Sequence, residues 1–200
     1  MNGVPENSYW RYDFDDFIPG SQETFQAIFA AMEHPGQLVT IPHNPAAPDI
    51  LNWASAATCL TLLARETPVW IDIDQQNSAV SWLQNRCQSS VVTEPCMANF
   101  AIVTRPDNMP DLEYFRVGTY DYPEKATTVL IQVEDILPDI AYSATGIGFD
   151  QRPQLELKGL SERFWHQWRR LSGRHPLGID VFITCEDVLT ALPKSARYIN

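Results

Sequence analysis

Thr127-Thr128-Val129-Leu130-Ile131-Gln132-Val133 is the stretch on which the fold turns. Strand side chains alternate between faces, and here both sets are apolar or β-branched. A strand apolar on both faces belongs in a sheet covered on both sides, as α/β proteins build it. Working outward, Pro68-Val69-Trp70-Ile71-Asp72-Ile73 and Ile179-Asp180-Val181-Phe182-Ile183-Thr184 have the same character, each bounded by turn residues. Residues 99–104, 37–41 and 154–158 read as further strands, and residues 188–192 and 197–199 as a hairpin finishing the sheet. Between them lie helical periods. Phe25, Ile28, Phe29 and Met32 form one stripe behind a Ser21 cap, and Pro35-Gly36 stops it. Residues 51–64 predict a mostly buried helix with Leu51, Ala54, Thr58 and Leu62 on one side, and residues 78–86 a short helix. Ser161 caps a helix carrying Phe164, Trp165, Trp168 and Leu171, ended by Gly173. Residues 112–117 suggest a helical turn, and 42–48, with Pro42, Pro45 and Pro48, a loop. The expectation is one three-layer α/β domain over residues 21–200, its central sheet flanked by helices. The sheet is mixed, because some connections are too short for parallel crossovers. Residues 1–20 precede it as an aromatic and acidic arm.

Charge narrows the function. The 200 residues include 25 Asp or Glu against 14 Lys or Arg, a formal net charge of −11. Lysine occurs only at 125, 158 and 194, and there is no basic run. Nucleic-acid binders cluster Lys and Arg to displace counterions, so no nucleic-acid partner is expected. Nothing approaches the ~20 apolar residues of a membrane span, and residues 1–11 are polar, so no membrane association and a cytoplasmic location are expected. Cys59, Cys87, Cys96 and Cys185 form no CxxC, which reads as reduced thiols rather than a metal or redox site.

Catalytic signatures are missing. There is no P-loop pattern, no GxSxG and no HExxH, and Gly146-Ile147-Gly148 lacks the third glycine of a dinucleotide turn. Asp13, Asp15 and Asp16, and also Asp72 and Asp74, alternate as a metal site could, but read first as a solvated acidic edge. No metal and no cofactor are expected. His166 falls on the polar side of its helix. His34 closes a helix where the dipole favours a cation, and His175 enters a strand through Arg174-His175-Pro176-Leu177-Gly178.

Several blocks recur in a telling order. They are Ala31-Met32-Glu33-His34-Pro35-Gly36, Thr67-Pro68-Val69-Trp70, Gly118-Thr119, and Tyr122-Pro123-Glu124-Lys125-Ala126-Thr127. Gly159-Leu160, Phe164-Trp165, His175-Pro176-Leu177-Gly178-Ile179-Asp180 and Leu189-Thr190-Ala191-Leu192-Pro193 complete them. Together, over residues 21–193, they resemble the PhnH family of the carbon–phosphorus lyase system. The resemblance implies a fold similar to the large domain of pyridoxal-phosphate-dependent transferases, without the cofactor site. It implies a homodimer that associates with the subunits PhnG, PhnI and PhnJ. That assembly makes α-D-ribose 1-methylphosphonate 5-triphosphate from ATP and methylphosphonate, displacing adenine, and PhnJ later cuts the carbon–phosphorus bond. The resemblance carries over no catalytic residue. The chain departs from it at Ala144-Thr145-Gly146-Ile147, where relatives tend to have Gly-Pro-Gly-Ile, and at Lys194, where arginine is frequent.

Two classes of function follow. One is a non-autonomous subunit with no activity of its own, whose partners supply the cations a triphosphate needs. The other is a stand-alone binding protein or enzyme using the loops His34-Pro35-Gly36, Thr67-Pro68 and His175-Pro176-Leu177-Gly178. A pyridoxal-phosphate enzyme would need Lys125, Lys158 or Lys194 as its Schiff-base lysine, and rests on fold analogy alone. Trp10, Tyr12, Phe14 and Phe17 in the arm point to self-association, since interfaces are rich in aromatic residues.

Overall fold

In the computed structural model, which describes residues 14–145, 154–172 and 174–198, the deciding run is a central strand buried on both faces. The helices are α1 (Phe14–Glu33), α2 (Trp53–Leu62), α3 (Ser78–Arg86) and α4 (Glu162–Ser172). The strands are β1 (Val39–Thr40), β2 (Pro68–Ile71), β3 (Ser90–Val91), β4 (Phe100–Val103) and β5 (Thr128–Gln132). They continue with β6 (Asp135–Thr145), β7 (Gln154–Lys158), β8 (Asp180–Cys185), β9 (Val188–Leu192) and β10 (Arg197–Tyr198). The main sheet has seven strands in the order β1-β9-β8-β5-β4-β2-β3. Strands β3, β2, β4, β5 and β8 are parallel, and β9 runs antiparallel between β8 and β1. The sheet is mixed, as expected.

Alternation along the strands divides the core in two. Leu130, Ile102, Val69, Ile71 and Phe182 point to one face, where Ile28 and Ala31 of α1, Ala54 and Ala57 of α2, and Val80 and Leu83 of α3 cover them. Val129, Ile131, Val103, Val181 and Ile183 point to the other, under Phe164, Trp165 and Trp168 of α4, Leu112 and Phe115, and the small sheet. Val129, Leu130 and Ile131 are all fully buried, so both faces of β5 are used. Burying each such side chain is worth about 1.5–3 kcal/mol, which is why the central strands are so uniformly apolar.

Three expectations need correcting. Ser21 does not cap the first helix, because α1 begins at Phe14 and runs through it. The buried stripe of α1 is Thr24, Ile28 and Ala31, while Phe25 and Phe29 are 52% and 53% exposed and stack with ring centroids 6.5 Å apart. Thr24, Ile28 and Ala31 face inward because α1 lies against the alanine-rich α2 and against β9. Finally, β10 does not finish the main sheet. The free side of β9 is taken by β1, with Val39 opposite Leu189, so the chain turns at Pro193 and β10 pairs with β6 in a separate sheet of order β10-β6-β7. The aromatics Trp10 and Tyr12, and Gly146-Ile147-Gly148, lie outside the described residues.

No described helix is long and apolar enough to cross a membrane. The cysteines are free thiols. Burial pushes Cys87 up to about 12, and raises Cys59 further from ionisation, with Cys87 itself adding to that. Because the thiolate is the reactive species, a maleimide at pH 7.5 is expected to label exposed Cys96 first. Cys59 and Cys87 should react only after denaturant unfolds the chain, as mass spectrometry of timed aliquots would record.

Candidate functional site

Strands β2, β4, β5 and β8 all start at one edge of the sheet and finish at the other. The three loops singled out from sequence sit at the starting edge. Gly36, at φ +81°, donates its N–H to the Ala191 carbonyl at 3.1 Å, which ties the His34-Pro35-Gly36 stop of α1 to β9. The loop from His175 follows α4, on the opposite face, with a cis His175–Pro176 bond, and Gly178 donates to the Val117 carbonyl at 2.9 Å. A Cβ on Gly178, at φ +136°, would stand 3.1 Å from the Lys194 Cβ, so only glycine suits that turn. Thr67 closes a turn on Ala64, its hydroxyl donating to the Ala64 carbonyl at 2.7 Å, and Pro68 opens β2. Between β8 and β2 stand β5 and β4, a separation of about 14 Å at ordinary strand spacing. These loops share an edge without converging on one pocket.

The three lysines are separately engaged. Lys194 donates from Nζ to the Pro123 carbonyl at 2.7 Å, a single-point contact, and its backbone N–H binds Asp180 at 2.8 Å. Lys125 lies 4.2 Å from the centroid of the Tyr122 ring, and Lys158 pairs with Asp135 at 3.5 Å.

A cleft of about 670 Å³ opens at the finishing edge, over the carboxyl ends of β4, β5 and β8. Ligands of open α/β sheets bind at carboxyl ends, near the point where strand order reverses. From β2 the chain goes outward to β3, then back to β4, β5 and β8 on the other side, so the reversal lies between β2 and β4. Asp72 bridges that point. One carboxylate oxygen accepts from the Thr104 N–H at 2.8 Å and the Thr104 hydroxyl at 2.7 Å, and the other from the Arg105 N–H at 3.0 Å. Asp74 closes its own turn through the Gln76 N–H at 2.7 Å. Both aspartates brace backbone, and among the described residues no group of His, Cys, Asp and Glu is placed to hold a metal.

Gln132, at the end of β5, forms the floor. Its Oε1 accepts from the Asn52 N–H at 2.7 Å, and its Nε2 donates to the Ile50 carbonyl at 2.8 Å. Asn52 caps α2 by accepting from the Ser55 N–H at 2.8 Å, and its Nδ2 donates to Thr184 at 3.3 Å. The Ser55 and Thr184 hydroxyls meet at 2.7 Å, closing a polar seam between α2 and the sheet. The 44–53 wall is pinned from behind, with the Trp53 indole N–H donating to the His43 carbonyl and the Trp82 indole N–H to that of Ala46 at 3.0 Å. The charges lining the cleft are unbalanced, with Arg105 facing Asp49, Asp107, Glu134 and Glu186. Sequence reasoning missed this edge, although an acid follows the exit of each of β2, β4, β5 and β8, at Asp72, Asp107, Glu134 and Glu186.

Comparison with known proteins agrees with the block pattern. The family described as bacterial phosphonate metabolism protein (PhnH) matches residues 12–199. A Rhizobium meliloti (strain 1021) protein named α-D-ribose 1-methylphosphonate 5-triphosphate synthase subunit PhnH is 26% identical over 185 residues, 92% of either chain. A Stutzerimonas stutzeri protein, the putative C-P lyase subunit protein HtxG, is 20% identical over 197 residues, 98% of this chain and 93% of its own. With matched residues running from end to end of the described fold, the chain belongs to the PhnH family of bacterial phosphonate metabolism proteins.

Proposed function

We infer that this chain is a non-autonomous subunit of a carbon–phosphorus lyase core complex. In it the chain supports formation of α-D-ribose 1-methylphosphonate 5-triphosphate from ATP and methylphosphonate, with adenine displaced. Its partners on this reading are a second copy of itself and the subunits PhnG, PhnI and PhnJ. The observation that carries the reading is the charge of the cleft. At the edge where an α/β sheet ordinarily holds its ligand, one arginine stands against four carboxylates. A triphosphate and a phosphonate bring several negative charges. Each like-charge contact at 4 Å costs about 4 kcal/mol at the effective dielectric of a protein surface. Strong anion sites present Arg or Lys forks instead, so the cations must come from another chain. The mixed sheet between two covering layers also supports the likeness to the large domain of pyridoxal-phosphate-dependent transferases, while none of the three lysines lines the cleft.

Titration calorimetry of the isolated protein with ATP and with methylphosphonate is expected to give no binding heat. Co-expression with the three partner subunits is expected to yield a complex that releases adenine from ATP when methylphosphonate is present. Micromolar binding or turnover by the isolated chain would overturn the subunit reading, and would direct attention to the loops at His34, Thr67 and His175.

A further inference from the structure

We propose that the free edge of β1 joins two copies of this chain, which pair antiparallel about a two-fold axis at Val39 and carry the main sheet from one copy into the other. This rests on the second copy named in the reading above, and supplies the surface that copy uses. Strand β1 ends the sheet, with β9 on one side only. The Ile41 N–H reaches the Asp187 carbonyl at 2.8 Å, and Val39 stands opposite Leu189, so Val39 and Ile41 are the residues whose backbone addresses β9. Leu38 and Thr40 therefore turn their N–H and C=O groups away from the sheet. Both residues are exposed, and among the described residues none of these groups has a hydrogen-bond partner. Such an edge is a template for another strand, and chains usually blunt it with Lys, Pro or a bulge. The run Gln37-Leu38-Val39-Thr40-Ile41 carries none of these and no charge.

The edge complements itself, as a two-fold interface must. With the axis at Val39, Leu38 meets Thr40 of the second copy and Thr40 meets its Leu38, so every outward N–H and C=O is used at once. Neighbouring registers fail. An axis at Leu38 would set Thr40 against Gly36, whose N–H is already spent on the Ala191 carbonyl, and an axis at Thr40 would set Leu38 against Pro42, which has no N–H. Side chains agree with this register. Half-buried Val39 comes opposite its own copy, and Leu38, 39% exposed, comes beside a threonine, both favourable cross-strand pairs. Because α1 packs on β1 and β9 while α2 packs on β8, α1 is the end helix of its layer, and the axis lays the two α1 helices side by side. Its exposed Gln22, Phe25, Gln26 and Phe29 are uncharged. Two copies of net charge −11 repel over much of their surface, so an uncharged seam is what lets them meet.

Sedimentation velocity of the full chain over a dilution series, paired with amide hydrogen exchange at Leu38 and Thr40, tests this. Wild type is expected to form a dimer in which both amides exchange slowly, and faster on dilution. Thr40→Pro removes an N–H that the single chain does not use, so the fold should stay while the dimer dissociation constant rises at least about tenfold. Leu38→Glu keeps every backbone group but puts a like charge into the seam, and should weaken the dimer most at low salt. Thr40→Val retains the N–H and should dimerise as wild type does. Circular dichroism of each variant checks that the fold is kept. If Thr40→Pro and Leu38→Glu dimerise as tightly as wild type, the interface lies elsewhere and the proposal fails, while the subunit reading stands on its adenine-release test. A monomeric wild type also overturns it. Slow exchange of the two amides in that monomer would assign the edge to residues 1–13 of the same chain, and slow exchange only in the co-expressed complex would assign it to another subunit.

Discussion

Trp168→Ala is expected to lower the free energy of unfolding by about 3–5 kcal/mol, as large-to-small changes of buried aromatics do. The residue is fully buried on the inner side of α4. It stands edge-on to Trp165, with centroids 6.3 Å apart and planes at 87°, and Trp165 meets Phe164 likewise at 5.2 Å and 76°. These rings fill the layer between α4 and the β5–β8 face of the sheet, so truncation leaves a void that the rigid sheet cannot close. One feature divides volume from polarity. The Trp168 Nε1–H finds no acceptor among the described residues. Trp168→Phe keeps most of the ring and removes an orphaned donor, so its cost should stay under about 1.5 kcal/mol. Urea titrations of both variants, with exposed His166→Ala as a control within about 0.5 kcal/mol of wild type, would check this. Equal losses for the alanine and phenylalanine variants would mean that the indole nitrogen, and not the ring volume, holds the layer.

The same packing explains which elements were legible. The limits of α3 follow from sequence because Asn77 supplies a local cap, accepting from the Ala79 N–H at 2.9 Å, and burial only reinforces it. Strands β4, β5 and β8 were legible because burial on both faces leaves no polar position to confuse the pattern. Strand β6 was not. It carries Pro138, and its pairing with β7 shifts register between Pro138 and Ser143, so no single alternation marks it. The destination of β10 depended on β1 having taken the edge of β9, a contact about 150 residues away along the chain that no local signal reports.

The loops singled out from sequence and the cleft lie at opposite edges of the sheet, and different signals mark them. Proline and glycine mark chain geometry, and His34-Pro35-Gly36 and His175-Pro176-Leu177-Gly178 prove to be fastened turns on either face of the starting edge. The cleft draws on ordinary polar residues from well-separated segments, such as Asp49, Arg105, Gln132 and Glu186. What unites them is the direction of the parallel strands, which becomes known only when strand order is known.

Gln132 is where that union is held, and its replacement carries the second large expectation. It is 9% exposed, and both ends of its amide are used, on the Asn52 N–H and the Ile50 carbonyl. Gln132→Met keeps the length but leaves two partly buried backbone groups without partners, at about 1–3 kcal/mol each where water cannot reach them. The cleft admits some water, so a loss of about 2 kcal/mol is expected, with faster hydrogen exchange at the Asn52 amide. Gln132→Glu separates the roles of the two amide ends. The introduced carboxylate still accepts from Asn52, but it cannot donate to Ile50 while ionised, and it faces Glu134 and Glu186 across the same cleft. Burial and like charge raise an acid's folded pKa above its unfolded value of about 4.3. The folded chain then binds more protons than the unfolded chain, so the variant's stability relative to wild type falls as pH rises from 4.3 through that raised value. Denaturation at pH 5 and pH 7.5 should therefore find Gln132→Glu closer to wild type at the lower pH, while Gln132→Met shows the same deficit at both. A Gln132→Met loss below about 0.5 kcal/mol would instead mean that the Asn52–Ser55 cap alone secures this wall of the cleft.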